Sequence, residues 1–418
     1  MCIRDRAGTG KTTLLVNRIA YILRYGNAYF SDLVPTSCDE ESVRELEAAI
    51  SCESGDLDML LDSFSMADAE PWNVLSITFT NKAAGEMKTR LEKLIGDAAK
   101  DLWCGTFHSM CLRILRSNAD KIGFDRSFAI YDTDDTKKVI SDCMKQMNID
   151  DKIVPQKFIM NQISMAKNRL MTPHDFDAGV GGDFKLQQVS SIYTLYQGKL
   201  EESMAMDFDD IIMKTVLLLR QNEEVRTHYQ NKFHYVLVDE FQDTNYAQFE
   251  LAILLSGGYE NLMVVGDDDQ SIYKFRGATI ENILNFEKQY KNARTIRLEQ
   301  NYRSTGRILD AANHVIANNT GRKGKTLWTK AEAGDPLTLY CATNENDEAR
   351  YVATKIMDDF GHGMNFRDHA VLYRMNAQSN QLEYAFKRNG IPYRIIGGTR
   401  FFDRAEVKDM LAYLCAVS

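Results

Sequence analysis

Residues 7–13 read Ala7-Gly8-Thr9-Gly10-Lys11-Thr12-Thr13, and residues 14–23 follow in helical spacing. This is the ending of a phosphate-binding loop, in which glycines let backbone N–H groups approach phosphate oxygens and the following helix N-terminus favours negative charge. Lys11 would reach the outer phosphates, and the Thr12 hydroxyl would complete the shell of a Mg²⁺ ion. Such a loop joins a strand to a helix, so the stretch predicts an α/β nucleotide-binding protein.

The residues before this loop depart from the full pattern. Asp5 occupies the position, five residues before Gly10, where the pattern has Gly or Ala. Residues 1–6 lack the apolar character of the buried strand that should precede the loop, so we expect that they are not its natural lead-in. A chance glycine-rich turn before a helix is the alternative explanation of this motif taken alone.

A second motif supplies the acidic half of such a site. Residues 235–240 read Tyr-Val-Leu-Val-Asp-Glu, an apolar strand that ends in two adjacent carboxylates. Asp239 would hold Mg²⁺ through its water shell, and Glu240 would orient and deprotonate the attacking water. Adjacent acids after a strand can also form a solvated loop or a helix cap. Together with Lys11 and Thr12, however, they favour a site that hydrolyses ATP.

Short apolar runs rich in β-forming residues alternate with segments of helical periodicity. We predict strands at residues 74–79, 235–238, 262–265, 295–298, 337–341 and 370–373. We predict helices at residues 81–95, 247–255, 307–317 and 381–388. This alternation is typical of parallel sheets flanked by helices.

The strand signals fade between residues 108 and 219, where the pattern is helical, with Asp132 or Asp134 as the N-cap of a helix over 136–147. We therefore predict a helical subdomain at 111–204, inserted into a first α/β domain made of 1–110 and 205–292. An incomplete second α/β domain would occupy 293–402, and a further helical subdomain would begin at 403–418.

The net charge of −9 is concentrated in one segment. Residues 31–70 contain twelve acidic residues and one basic residue, a local charge of −11, which leaves +2 for the rest of the chain. The acidity therefore does not exclude a nucleic-acid partner. We interpret 31–70 as a solvated surface insertion with one short helix at 40–50.

Two features bear on the cellular compartment. The eight cysteines include no C-x-x-C pair, and no apolar stretch approaches the roughly 18 residues of a membrane helix. We expect reduced, mostly buried thiols in a cytoplasmic protein.

At residues 239–245 the sequence DEFQDTN resembles a box of the UvrD/Rep/PcrA-type helicases of superfamily 1. Other boxes resemble theirs in the same order: TFTNKAA at 78–84, GTFHS at 105–109, DFDD at 207–210, GDDDQSIYKFRGA at 266–278, QNYRS at 300–304 and LYRMN at 372–376. The resemblance runs from residue 7 to about residue 408. It implies that two RecA-like P-loop domains clamp one ATP in the cleft between them.

The resemblance also implies roles for single residues. Gln270 would link the γ-phosphate to the DNA-binding elements, Arg303 would act as an arginine finger, and Tyr302 would stack on adenine. Single-stranded DNA would stack on Phe79, Phe208, Tyr273 and Phe275. Backbone or base contacts would come from Arg276, Arg374, Thr106, His108 and Asn376. For each residue taken singly, ordinary packing or a surface ion pair is the alternative.

The resemblance implies a motor that uses ATP and Mg²⁺, moves 3′ to 5′ on single-stranded DNA and separates duplexes at their junctions in DNA repair or replication. Two alternatives stay open, which are the motor part of a helicase-nuclease and a DNA-binding P-loop protein that does not hydrolyse ATP. Because no later family motif follows Asn376, we expect residues 1–418 alone to hydrolyse ATP poorly and not to unwind DNA.

Overall fold

The computed structural model describes residues 2–4, 9–26, 38–52, 57–62, 64–66, 69–271, 277–279, 281–284, 286, 290, 292–319, 326–396 and 410. The chain forms two compact units, the first ending at Asp335 and the second beginning at Pro336. Each unit has a buried apolar core of its own.

The described strands are β1 (Cys2–Arg4), β2 (Val74–Thr78), β3 (Trp103–Thr106), β4 (Ala129–Tyr131), β5 (Ala205–Asp207), β6 (Tyr235–Val238), β7 (Leu262–Gly266) and β8 (Thr295–Arg297). Six of them form one sheet in the order β3-β2-β6-β7-β1-β8, and every neighbouring pair is parallel. The predicted α/β class with a parallel sheet is confirmed. β6 and β7 are buried at every residue, which explains their unbroken apolar sequences.

The strand before the phosphate loop corrects one of our expectations. Residues 1–6 were not expected to include this strand, yet Cys2–Arg4 forms β1 and pairs with both β7 and β8. A parallel strand between two neighbours is held by backbone hydrogen bonds, which any residue except proline can make. Three residues are also too few to show a hydrophobic period, so the sequence pattern could not reveal this strand.

The helices described in the first unit are α1 (Lys11–Tyr25), α2 (Glu40–Cys52), α3 (Leu57–Asp62), α4 (Asn81–Ile95), α5 (Phe107–Asn118), α6 (Thr133–Gln146), α7 (Gln156–Asn168), α8 (Pro173–Gly179), α9 (Phe184–Glu202), α10 (Phe208–Gln221), α11 (Glu223–Lys232), α12 (Tyr246–Ser256), α13 (Glu281–Leu284) and α14 (Gly306–Ile316). Six of these fourteen described helices, α1, α2, α4, α6, α12 and α14, match helical segments predicted from the sequence. The bounds of α4 are those predicted, and α12 and α14 differ from prediction by one residue at each end.

Helices cover both faces of the sheet because alternate strand residues point to opposite sides. Leu237 of β6 packs in one core with Leu15 and Ile19 of α1. Its neighbours Val236 and Val238 pack in the other core, which includes side chains of α5, α10 and α12. The sheet is thereby enclosed between two helical layers.

The segment between β3 and β5 is largely helical, as the sequence indicates. Helices α6, α7 and α9 share a separate core in which Tyr193 and Tyr196 are fully buried. Asp132 is the N-cap of α6, because its carboxylate accepts hydrogen bonds from the backbone N–H groups of Asp134 and Asp135. The parallel pair β4 and β5 was not predicted, since each strand has only three residues.

The acidic segment contains the predicted helix and one more. α2 covers the predicted range 40–50, and α3 follows it. Helix α3 is attached to α1, because the Arg24 guanidinium forms a bidentate ion pair with the Asp62 carboxylate at 2.6 and 2.8 Å. Both partners are exposed to solvent, so this pair adds little to stability.

The second unit contains α15 (Glu345–Gly361) and α16 (Ser379–Arg388), which pack through Ile356 and Phe386. The predictions of strands at 337–341 and 370–373 are wrong, because the structure describes both runs and has no strand at either place. Neither run is paired in a sheet, and Leu339 and Leu372 are 89% and 95% exposed. A strand needs a hydrogen-bonded neighbour, and these runs have none among the described residues.

The division into two compact units does not test the predicted start of a second domain at 293. β8, which we predict within that domain, pairs with β1 in the first sheet, and the first unit ends at Asp335. Apart from residue 410, the helical subdomain expected at 403–418 lies outside the described residues.

Candidate nucleotide and DNA site

The phosphate-binding motif lies at the start of α1. Gly10, immediately before the helix, has φ +90°, a left-handed conformation that favours glycine. Lys11 is the first helical residue and is buried, although it carries a charge. Thr9 is buried as well, whereas Ala7 and Gly8 lie outside the described residues. A helix N-terminus beside a buried cation forms an environment that favours anions.

The acidic motif lies at the end of β6, directly opposite Lys11 and Thr12. Lys11 Nζ is 3.5 Å from Glu240 Oε2, and the Thr12 hydroxyl donates to Asp239 Oδ2 at 3.3 Å. The structure therefore brings together two pairs of adjacent residues that lie more than 220 positions apart in the sequence. Thr13 lies to one side, where its hydroxyl accepts a hydrogen bond from Arg90.

Two carboxyl groups here, those of Asp239 and Asp243, lie in an environment that disfavours their charged form. Burial, and then the neighbouring Glu240, raise the pKa of Asp239 to about 6. The same two causes raise the pKa of Asp243 to about 6. A cation bound next to Asp239 would offset both effects, because an opposite charge stabilises the ionised form.

The donor atoms of Thr12 and Asp239 fit a Mg²⁺ ion. They are one hydroxyl and one carboxylate oxygen, already in contact. Within the described part of the chain, no three His, Cys, Asp or Glu side chains are grouped as a metal site. Mg²⁺ in nucleotide sites is usually held by one or two protein oxygens, with phosphate oxygens and water as its other ligands.

A glutamine that the sequence analysis did not single out connects the cluster to the next strand. The Gln242 amide donates to Glu240 Oε2 at 2.9 Å, and its oxygen accepts the backbone N–H of Asp267 at 2.8 Å. Asp267 in turn accepts a hydrogen bond from the Gln270 amide. Gln270 is therefore joined to Glu240 through Gln242. The DEFQD sequence contained this residue, but its role depends on a contact across strands.

Two residues expected to complete the site are not in contact with it. Tyr302 is 72% exposed, and its hydroxyl donates to Gln300. Arg303 is exposed, and its backbone is held in a turn by the Asn301 side chain. In the described structure neither side chain touches Lys11 or Glu240.

The residues expected to contact DNA in the first unit lie on neighbouring segments. Phe208, the first residue of α10, is 50% exposed, and its ring meets the edge of His108 with centroids 5.9 Å apart. Burial lowers the pKa of His108. Phe79 contacts Phe107 edge-on at 5.5 Å and is half-buried.

The other residues expected to contact DNA lie elsewhere in the chain. The Thr106 hydroxyl is the N-cap of α5, where it accepts the backbone N–H of Ser109. Arg374, in the second unit, is exposed, and Asn376 begins a short turn there. Tyr273, Phe275 and Arg276 lie outside the described residues.

Two carboxylates of the DFDD motif belong to a buried charge network that the sequence did not reveal. Lys167 is fully buried, with its ammonium 2.7 Å from Asp207 and 2.9 Å from Asp210. The two carboxylates hold the pKa of Lys167 well above its usual value, although burial alone would lower it. The Tyr196 hydroxyl also donates to Asp207, at 2.7 Å. Sequence could not reveal a pair 40 residues apart.

The residue after Lys167 links two candidate functional segments. Asn168 donates to Asp209 at 3.5 Å, and its amide oxygen accepts a hydrogen bond from Asn245. Asp209 follows Phe208, whereas Asn245 closes the acidic box that begins at Asp239. The end of α7 therefore contacts both the candidate DNA segment and the candidate catalytic segment.

Comparison with known proteins gives consistent matches. A family model described as the UvrD/REP helicase N-terminal domain matches residues 58–291, and one described as the UvrD-like helicase C-terminal domain matches 296–418. The chain is 47% identical over 414 residues to ATP-dependent DNA helicase PcrA of Staphylococcus aureus (strain Mu50), covering 99% of this chain and 51% of that protein. It is 46% identical over 418 residues to PcrA of Staphylococcus epidermidis, covering 100% of this chain and 52% of that protein. The chain thus spans about half the length of these curated relatives.

The described part of the chain has no helix that is long and apolar enough to span a membrane.

The close approach of Gln242 to β7 yields a stability test. A Cβ atom on Gly266 would lie 2.7 Å from both Gln242 Oε1 and Ile283 Cδ1. We expect Gly266→Ala to lower the free energy of unfolding by about 1 to 3 kcal/mol, since such overpacking forces neighbours apart. Gly85→Ala is the matched control, because Gly85 lies in α4 with nothing within 4 Å of an added Cβ. It should raise stability by about 0.5 to 1 kcal/mol. Urea unfolding measures both, and equal effects would contradict the contact.

Asp209 yields a test of pH dependence. Burial, and then Asp207, raise its pKa from 3.8 to about 6. When folding raises the pKa of a carboxyl group, the folded protein loses stability as the pH rises from the unfolded-state pKa to the folded-state pKa. For Asp209 this loss is at most about 3 kcal/mol. Asp209→Asn removes this cost, so the variant should gain stability relative to the parent between pH 4 and 7.

The control for this test is Asp175→Asn. Hydrogen bonds from Thr172 lower the pKa of Asp175, so the relative stability of this variant should change with pH in the opposite direction. Thermal unfolding midpoints across the pH range provide the measurement. A pH-independent difference between Asp209→Asn and the parent would contradict the assignment.

Proposed function

Because this chain belongs to the UvrD/Rep helicase family, we propose that it carries the ATP-binding and single-strand-binding parts of an ATP-dependent DNA helicase. The proposed motor moves 3′ to 5′ on single-stranded DNA and separates duplexes at their junctions, in DNA repair or replication. The observation that supports it most is the cluster of Lys11, Thr12, Asp239 and Glu240, which joins a phosphate loop to a pair of carboxylates.

ATP and Mg²⁺ are the ligands that this cluster would hold. The loop 7–13 and Lys11 would bind the phosphates, and Thr12 and Asp239 would bind Mg²⁺. Mg²⁺ supplies positive charge that neutralises phosphate oxygens during transfer. Lys11, which pairs with Glu240 at 3.5 Å, would exchange this partner for a phosphate oxygen. That exchange leaves the Glu240 carboxylate available to water.

Glu240 is the proposed general base. It accepts the proton of the attacking water, while the Gln242 amide, 2.9 Å away, orients its carboxylate. Gln270 would respond to the γ-phosphate and pass the change through Asp267 and Gln242. Arg303 and Tyr302, exposed in this structure, would reach the transferred phosphate and the adenine respectively.

Single-stranded DNA is the proposed track. Phe208, half-exposed beside His108, offers a ring on which a base can stack, and Phe79 lies on the segment that follows β2. Tyr273, Phe275, Arg276, Thr106, Arg374 and Asn376 complete the proposed DNA contacts. Stacking does not depend on base identity, so such a motor can move along any sequence.

Phe208 allows a direct test of DNA binding. We expect Phe208→Ala to weaken binding of the chain to an oligothymidine by about 1 to 3 kcal/mol, roughly 5- to 150-fold, because one stacked base is lost. Phe184→Ala is a matched control, since Phe184 is an equally exposed first residue of a helix, at 58%. Fluorescence anisotropy provides the affinities. Equal effects of the two substitutions would place the DNA elsewhere.

DNA-stimulated phosphate release tests the proposed activity, measured in a full-length protein that contains this chain. We expect stimulation by single-stranded DNA. We also expect Glu240→Gln to retain ATP binding but lower the rate by about 10²- to 10⁴-fold, because the base is lost while the size is kept. Lys11→Ala should instead weaken ATP binding by about 1.5 to 3 kcal/mol.

Glu86→Gln, on the exposed face of α4, serves as the control for the Glu240 substitution. Normal hydrolysis by Glu240→Gln would show that the base is another group. DNA binding without any hydrolysis would favour a P-loop protein that does not hydrolyse ATP.

A further inference from the structure

A second charged cavity lies away from the nucleotide site. It has a volume of about 420 Å³ and is lined by residues from β3, α5, α11 and the turn after α5. Trp103, at the start of β3, forms part of its wall, whereas Asp239 and Glu240 follow the end of β6. Strands β3, β2 and β6 run parallel, and the three residue steps of β3 span roughly 10 Å. The cavity is therefore at the opposite edge of the sheet from Lys11 and Glu240.

Positive charge dominates the wall of this cavity. Its basic residues are Arg113, Lys121 and Lys232, and its one carboxylate is Glu224. Glu224 already pairs with Lys121 at 3.3 Å. Across the described residues, neither Arg113 nor Lys232 forms an ion pair.

Both unpaired cations lie against one aromatic ring in the wall of the cavity. The Arg113 guanidinium lies 3.7 Å from the centroid of Trp103, and the Lys232 ammonium lies 4.7 Å from it. The rings of Tyr229 and Phe233 pack edge-on against the same indole. The π-system of the indole attracts each of the two cations.

The protonation behaviour of Lys232 agrees with this geometry. Burial and then the charge of Arg113 lower its pKa. An anion bound beside Lys232 would offset the effect of Arg113, because an opposite charge stabilises the protonated lysine.

We propose that this cavity binds the phosphate group of a small phosphorylated molecule. A single phosphate carries a charge of about −1.5 to −2 and can neutralise both free cations, whereas one carboxylate can neutralise only one. The planar guanidinium of Arg113 can donate two parallel hydrogen bonds to phosphate oxygens, and Lys232 contributes a point charge. A volume of 420 Å³ lies within the usual range for small-molecule sites. The site does not depend on the proposed helicase activity.

The test uses inorganic pyrophosphate as the probe and the Lys11→Ala chain as the background, so that the nucleotide site does not contribute. Isothermal titration measures the affinity. We expect binding of pyrophosphate. Arg113→Ala and Lys232→Ala should each weaken it by tenfold or more, and circular dichroism establishes that the variants are folded.

Arg126→Ala is the matched control, because Arg126 is an exposed arginine that pairs with Asp120 outside the cavity. It should leave pyrophosphate affinity within twofold. Absence of binding, or equal affinity in the Arg113→Ala and Arg126→Ala chains, would overturn the proposal. It would also be overturned if the cavity substitutions weakened binding of duplex DNA but not of pyrophosphate, since the cavity would then contact the DNA backbone.

Discussion

Parallel pairing of β6 with β2 and β7 positions the candidate site. It places the carboxyl ends of these strands at one edge of the sheet, so that Asp239, Glu240 and Asp267 face the start of α1. The hydrogen bond from the Asp239 backbone N–H to the Ile77 carbonyl continues this pairing past the end of β6. The acidic pair thus has a fixed position relative to Lys11, although 229 residues separate Lys11 from Glu240.

Local patterns predicted those parts of the fold that depend on local sequence. The bounds of α4 and the buried strand β6 followed from periodicity, and Lys11 and Glu240 came together as the two motifs indicated. Periodicity did not reveal β1, because its three residues are too few to show a hydrophobic period. It also failed for 337–341 and 370–373, which have strand-forming sequences but no strand partner among the described residues.

Contacts between distant side chains account for most of what the sequence analysis missed. Gln242 gains its role only because β7 brings the Asp267 N–H to its oxygen, and Lys167 only because α10 begins beside α7. The second contact has a wider consequence. A fully buried Lys167 pairs with Asp207 and Asp210, and these contacts hold the start of α10, where Phe208 is half-exposed. The adjacent Asn168, at the end of α7, contacts both Asp209 of the candidate DNA segment and Asn245 of the acidic box.

We propose that the phosphate loop and the end of β6 form one site for ATP and Mg²⁺. A crystal structure of the chain soaked with Mg²⁺ and a non-hydrolysable ATP analogue would locate both ligands. We expect the ion at about 2.0 to 2.1 Å from the Thr12 hydroxyl, the Mg²⁺–oxygen distance, and within one water of Asp239. We also expect Lys11 to move from Glu240 to a phosphate oxygen. A nucleotide bound elsewhere, or a Lys11 still paired with Glu240 beside bound phosphates, would contradict this proposal.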